Sequence, residues 1–165
     1  MNKSKILNHE QIQQKIRRIA YQIVENNIEE ESLYFVGVEP RGSILCDRLA
    51  TEVNKINSTK IVSGTIKLDK DHPLEKDVQC SLDLTETKNK TIILIDDVLN
   101  TGKALIYAAN HLLQSEPKSI QTVTLVDRRH RLFPIRADYV GLTLATTLQE
   151  HISVEFGDED IAWLK

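Results

Sequence analysis

Two adjacent carboxylates, Asp96 and Asp97, follow directly on the apolar run Ile92 to Ile95. Side by side at the end of a buried segment they repel each other, and a cation, hydrogen-bond donors or ligand hydroxyls must relieve that repulsion. The vicinal hydroxyls of a ribose are suitable donors. The chain then continues through Val98 to Ala104 (VLNTGKA) into a helical pattern. The free N–H groups and dipole of a helix start favour an anion, Thr101 adds a hydroxyl, and Gly102 allows close approach of the backbone. A sugar phosphate therefore fits this segment at both ends. For an isolated Asp-Asp pair, helix capping by Asp97 and Thr101 is the plainer explanation, so the case rests on the whole string IILIDDVLNTGK.

A second turn has related chemistry. Gly37 to Ser43 (GVEPRGS) spaces two glycines as a Walker A loop does, but the lysine that must follow the second glycine is missing. An ATPase reading loses its main support. The turn nevertheless lies between an apolar run and a helical pattern. Taken alone, a Pro-Gly turn with a surface arginine explains it equally well.

The elements that must carry these turns are legible in outline. Asn8 precedes a helical pattern with Ile12, Ile16, Ile19 and Ile23 on one face, ending near Asn26-Asn27. Leu33 to Val38 is a strand, and Ile44, Leu45, Leu49 and Val53 mark the helix after Arg41. A further strand is expected over Lys60 to Leu68, followed by a polar, exposed and mobile loop from Asp69 to Lys76. Thr91 to Ile95 is a continuous apolar strand, Ala104, Leu105, Ala108 and Leu112 mark a helix, and Ile120 to Val126 is another strand. Continuous apolar runs suit strands covered on both faces, so the alternation implies an α/β fold with right-handed crossovers. Asp127 to Lys165 promises loops and short strands, including Asp138 to Leu144 and His151 to Phe156.

At 165 residues the chain suits one domain, and 41% hydrophobic with 27% charged residues excludes a disordered composition. Only 6 glycines are present, which excludes collagen-like and glycine-rich classes. A net charge of −3 offers no global attraction for nucleic acid, although a local basic patch survives such a balance. No apolar stretch approaches the ~20 residues needed to cross a bilayer. Met1 to Glu10 lacks the pattern of a secretory signal, so a cytoplasmic protein is expected. Cys46 and Cys80 are expected as reduced thiols, and the five histidines show no metal-site spacing.

The string IILIDDVLNTGK resembles the phosphoribosyl pyrophosphate (PRPP) signature of type I phosphoribosyltransferases: four apolar residues, two acids and a variable stretch ending in Thr-Gly. Leu125 to Val140 (LVDRRHRLFPIRADYV) is similar to the segment after the last core strand in the bifunctional pyrimidine-operon attenuator and uracil phosphoribosyltransferase family. The resemblance implies a three-layer α/β fold with a mostly parallel central sheet. It implies one domain over residues 1–165, with a small hood formed by the N-terminal helix and the C-terminal segment. The implied reaction is transfer of a phosphoribosyl group from PRPP to a pyrimidine base, uracil, giving the nucleoside monophosphate UMP and pyrophosphate. The implied alternative is an RNA-binding regulator of pyrimidine genes that keeps the nucleotide site as a sensor.

By the same resemblance, Asp96 and Asp97 hold the ribose hydroxyls, Val98 and Leu99 continue the PRPP-binding segment, and Asn100, Thr101, Gly102, Lys103 and Ala104 wrap the 5-phosphate. Pro40, Arg41 and Gly42 form the pyrophosphate loop, with Arg41 joining the two acids as the catalytic set, and Asp127 and Arg128 lie beside the nucleobase. Mg²⁺ is the implied cofactor, held largely by pyrophosphate and waters without a protein-built metal site. A homodimer or larger homo-oligomer is implied as well.

The chain departs from the family at four places. Ala104 stands where a Thr is common, Asn100 where purine-specific members carry an acid, and Glu39-Pro40 where related proteins have Lys-Thr. The loop LDKDHPLEKD replaces a Tyr-Arg-Asp-Asp type sequence, leaving Lys67, Lys70 or Lys76 in place of its arginine as point charges. Arg128, Arg129, Arg131 and Arg136 form a basic cluster against Asp127 and Asp138. RNA phosphates, acids at a dimer interface and plain solvation are all open uses of it.

Overall fold

In the computed structural model, which describes residues 2–165, strand β2 (Ser32–Val38) forms the inner half of the sheet's first βαβ unit. Helix α2 (Arg41–Ile56) carries the chain across to β3 (Lys60–Lys67), which pairs parallel to β2. Next come a short β4 (Gln79–Cys80) and β5 (Thr91–Leu99), with β5 on the other side of β2 and parallel to it. Helix α3 (Lys103–Leu113) returns to β6 (Ser119–Asp127), and β7 (Tyr139–Thr143) closes that edge. The strand order is β4-β3-β2-β5-β6-β7, with only β4 antiparallel. The order therefore reverses between β2 and β5, where an open α/β sheet leaves a crevice at the carboxyl ends of its strands.

The sheet is covered on both faces. Ile93 and Ile95 of β5 belong to one apolar cluster with Leu45, Leu49 and Val53 of α2 and the buried isoleucines of α1 (His9–Asn26). Ile92 and Leu94 belong to a second cluster with Leu105, Ala108 and Leu112 of α3. All nine residues of β5 are buried, which explains its unbroken apolar run. Each fully buried Ile or Leu contributes roughly 1.5–3 kcal/mol, so this strand is a principal anchor of the sheet. Helix α1 begins at a capping box: Asn8 accepts from the Gln11 N–H at 2.8 Å, and Gln11 accepts from the Asn8 N–H at 2.9 Å.

The structure differs from the sequence expectation in several places. Strand β5 does not stop at Ile95 but runs through both acids to Leu99. A separate three-stranded antiparallel sheet joins β1 (Ser4–Leu7), β9 (Ile161–Leu164) and β8 (Ile152–Glu155). An N-terminal strand thus pairs with the C-terminal segment, and helix α1, which packs against α2 and β7, also meets that segment: Gln13 Nε2 donates to Asp160 Oδ2 at 2.6 Å and the Asp160 N–H to His9 Nδ1 at 3.0 Å. Ile44, grouped with the inward face of α2, is 39% exposed because the buried stripe runs through Leu45, Leu49 and Val53. Cys46 and Cys80 are free thiols, and burial pushes Cys46 up to about 12, which keeps it unreactive.

Candidate functional site

The end of β5 brings the two acids to the reversal point. Asp96 and Asp97 are buried, and the Asp97 N–H donates to Asp96 Oδ1 at 2.9 Å. Arg41, at the first turn of α2, places its Nε 3.2 Å from Asp97 Oδ2. Lys70, on the loop after β3, places its Nζ 3.7 Å from Asp96 Oδ1. Burial pushes the Asp96 carboxyl well above the ordinary carboxylate range; the Lys70 ammonium pulls it part of the way back, and the neighbouring Asp97 adds to the rise. Gly42 lets α2 start directly against this strand, since a Cβ there would lie 2.6 Å from the Ile95 carbonyl oxygen and 3.0 Å from Asp96 Cα.

Beyond β5 the chain turns through Asn100 and Thr101 to Gly102, whose φ of 88° is the left-handed region that other residues adopt only at a cost. A Cβ at Gly102 would also meet Ile135 Cγ2 at 2.8 Å. Thr101 Oγ1 accepts from the Lys103 N–H at 3.2 Å, and the Thr101 carbonyl accepts from the Leu132 and Phe133 N–H groups at 2.9 and 3.1 Å. The turn is thereby tied to the loop after β6. A cleft of about 240 Å³ opens here, lined by residues 98–105 together with Lys70, Asp71, Asp96 and Thr124. One wall is a buried carboxylate and the other a helix start, an arrangement that can hold hydroxyls at one end and a phosphate at the other. Asp97, Pro40, Arg41 and Gly42 adjoin this cleft across the β2–β5 boundary rather than lining it.

Val98 and Leu99 lie differently from their neighbours. Their side chains are buried in the two apolar clusters, so their side-chain contribution is to packing. Asp127 and Arg128 do not line the cleft either. The Asp127 carboxylate turns to its own loop, accepting from the Arg129 N–H at 2.9 Å and standing 3.4 Å from Arg131 Nη2. Arg128 is buried: Nε donates to Thr146 Oγ1 at 2.6 Å, Nη2 to the Thr147 carbonyl at 2.9 Å, and Nη1 to Asn100 Oδ1 at 3.4 Å. Arg128 therefore joins the turn after β5 to the segment between β7 and β8. Nothing in the sequence pointed to Thr146 or Thr147 as its partners.

The lysines and arginines of the two loops separate in space. Lys103 Nζ donates to the Asp71 carbonyl at 2.8 Å and so draws the loop over the cleft. Lys76 is directed to Asp69 at 4.0 Å, and Lys67 is exposed on β3. Of the four clustered arginines, Arg129, Arg131 and Arg136 are exposed and Arg128 is not. Among the described residues no group of three or more His, Cys, Asp or Glu side chains is placed to hold a metal ion. No helix among them is long and apolar enough to cross a membrane.

Comparison with known proteins agrees with this geometry. The model of a family described as the phosphoribosyl transferase domain matches residues 2–160. The chain is 35% identical to a bifunctional protein PyrR of Clostridioides difficile (strain 630), over 100% of this chain and 99% of the relative. It is 34% identical to the bifunctional protein PyrR of Bacillus subtilis (strain 168), over 96% of this chain and 92% of the relative. The crystal structure of a hypoxanthine phosphoribosyltransferase of Trypanosoma cruzi aligns with a TM-score of 0.75 at 19% identity, covering 90% of this chain and 84% of that one. A hypoxanthine-guanine phosphoribosyltransferase from Bacillus anthracis aligns with a TM-score of 0.75 at 21% identity, covering 92% and 87%. At such identities the structural likeness speaks for the fold, a three-layer α/β arrangement around a mostly parallel sheet.

Proposed function

The chain belongs to the phosphoribosyl transferase domain family, and on that premise we propose that it transfers a phosphoribosyl group from PRPP to uracil, giving UMP and pyrophosphate. The observation that carries the reading is the cleft at the reversal of the sheet, where buried Asp96 and the start of α3 line a single space and buried Asp97 adjoins it. In this reading Asp96 and Asp97 accept hydrogen bonds from the ribose hydroxyls. The backbone of residues 101–104 holds the 5-phosphate, and Arg41 faces the departing pyrophosphate. The bond from ribose C1 to the pyrophosphate oxygen breaks as the bond from C1 to uracil N1 forms, and the N1 proton leaves to solvent. Positioning and electrostatics lower the barrier, because the sugar becomes oxocarbenium-like while negative charge gathers on the leaving group.

Mg²⁺ would fit the oxygen-rich chemistry of this site, held mainly by PRPP oxygens and waters, with Asp96 and Asp97 as the carboxylates the site offers beside them. It would supply charge neutralisation of the pyrophosphate. The uracil assignment is supported by the resemblance of Leu125 to Val140 and by Asn100, a neutral amide where purine-specific members carry an acid. The same resemblance extends the proposal to a homodimer or larger homo-oligomer. Pyrophosphate release from PRPP, measured with a series of bases, tests the reading.

A second activity is favoured by one observation. Arg129, Arg131 and Arg136 are exposed on the loop that is hydrogen-bonded to the Thr101 carbonyl, so a basic surface adjoins the nucleotide site. That placement supports an RNA-binding role responsive to UMP.

A further inference from the structure

Asp160, in the turn between β8 and β9, is fully buried, with 0% exposure. Three elements meet on it. Arg48 Nη1 of α2 and Gln13 Nε2 of α1 both donate to its Oδ2, the Gly157 N–H donates to its Oδ1 at 3.1 Å, and its own N–H donates to His9 Nδ1. The Arg48 guanidinium also stands over the Phe156 ring, 5.2 Å from its centre. A buried carboxylate that loses its cation is left with an uncompensated charge, so this pair fastens the small sheet of β1, β9 and β8 to α2.

The small sheet bears on one side of β5. Strand β8 packs against β5, and Leu7, Ile152, Val154 and Ala162 share an apolar cluster with Val98, the residue after Asp97. On the other side, Leu99, Leu105 and Ala108 belong to the second cluster, with Ile135 packed against it. The chain from 144 to 151, between β7 and β8, has no buried residue of its own. Its ends place it: Arg128 grips Thr146 and Thr147, and β8 takes the chain up from Ile152.

We propose that Asp160 and Arg48 are positioning residues for the nucleobase. By docking the small sheet they hold the segment 144–151 beside Arg128, and so set the affinity for the base without touching it. The proposal rests on the PRPP reading above, with the base beside Asp127 and Arg128 and the 5-phosphate at residues 101–104. When the pair is broken the small sheet spends part of its time undocked, and the apparent affinity for the base falls with the fraction of time the segment is in place. The turn after β5 is fastened instead to the loop after β6 and to the second apolar cluster, so the phosphate end of the ligand keeps its partners.

UMP is ribose 5-phosphate with uracil on C1, so the difference between the two affinities reports the base. Wild type, Arg48→Met, Asp160→Asn and Arg48→Lys are titrated with each ligand by calorimetry, and amide hydrogen exchange is followed over the strands. Arg48→Met and Asp160→Asn are expected to lose UMP affinity about tenfold or more, as for a segment in place about a tenth of the time or less, with ribose 5-phosphate affinity unchanged. Exchange is expected to quicken in β8 and β9 and not in β5. Arg48→Lys, which keeps a cation for Asp160, is expected to retain most of the UMP affinity. Should Arg48→Met fail to fold, Gln13→Ala removes one donor and leaves the ion pair, and a smaller loss confined to UMP is expected. UMP affinity that holds in the folded variants, or that falls in parallel with ribose 5-phosphate affinity, overturns the positioning role while leaving the PRPP reading standing. Wild-type protein that binds UMP no more tightly than ribose 5-phosphate overturns the positioning role as well, and wild-type protein that binds neither ligand overturns both.

Discussion

Arg41 and Asp97 meet across the reversal of the strand order, with Nε 3.2 Å from Oδ2, so the end of β5 and the first turn of α2 share one ion pair. The carboxylate is buried and the guanidinium half exposed, an asymmetry that fixes the acid and leaves the arginine free to turn. In Asp97→Asn the proposed acceptor for a ribose hydroxyl and the charged partner of Arg41 are lost together. PRPP affinity is expected to fall on the order of tenfold to a hundredfold by calorimetry, the scale of a charged hydrogen bond removed. Unchanged affinity contradicts the assignment of the acid pair.

Gly102→Ala strains the turn in two ways, through its φ of 88° and through a Cβ 2.8 Å from Ile135 Cγ2. The left-handed conformation alone costs about 1–2 kcal/mol. A fall in Tm of a few degrees is expected on thermal unfolding, together with weaker PRPP binding because the phosphate-side turn shifts. A variant as stable as wild type would mean that the loop after β6 yields freely at Ile135.

Asp96 gives the stability a pH dependence. Burial holds its carboxyl raised in the folded chain, whereas the unfolded chain ionises it near the ordinary 3.8. As pH rises from that ordinary value toward the raised one, the unfolded state loses its proton first, so this group makes the fold less stable with rising pH. Asp96→Asn removes the effect. Its stability relative to wild type is expected to increase from pH 4 to pH 8 by on the order of 1 kcal/mol or more, measured by denaturant unfolding across that range.

The proposed RNA binding rests on three exposed arginines, Arg129, Arg131 and Arg136. Arg129→Ala with Arg131→Ala is expected to reduce the slope of log affinity against log salt by about 0.7 for each phosphate of a single-stranded RNA that is no longer neutralised. UMP is expected to change the affinity of the wild type. A gel-shift series with no specific RNA binding at any UMP level removes this reading.

The central strand and its acids were legible in the residues, because a parallel strand covered on both faces must be apolar throughout. Ile92 to Ile95 could hardly be anything else. Helix α1 was legible for a similar reason, its isoleucines recurring every three or four residues behind an Asn cap. Strands β1 and β9 were not legible. Each has four residues, and their register pairs Ser4 with Leu164 across nearly the whole chain, a relationship no local pattern carries. The continuation of β5 through Asp96 and Asp97 was hidden because carboxylates normally mark the end of a buried strand. Arg128 was singled out by motif, yet its hold on Thr146 and Thr147 came only from the tertiary path of the segment after β7.

Pyrophosphate release from PRPP in Mg²⁺, with uracil, orotate, hypoxanthine, guanine and adenine offered one at a time, tests the central claim most directly. The account predicts release with uracil at the highest kcat/KM and UMP formed in equal amount. Preference for any other base of the series, or no release above the base-free rate with any of them, would contradict it.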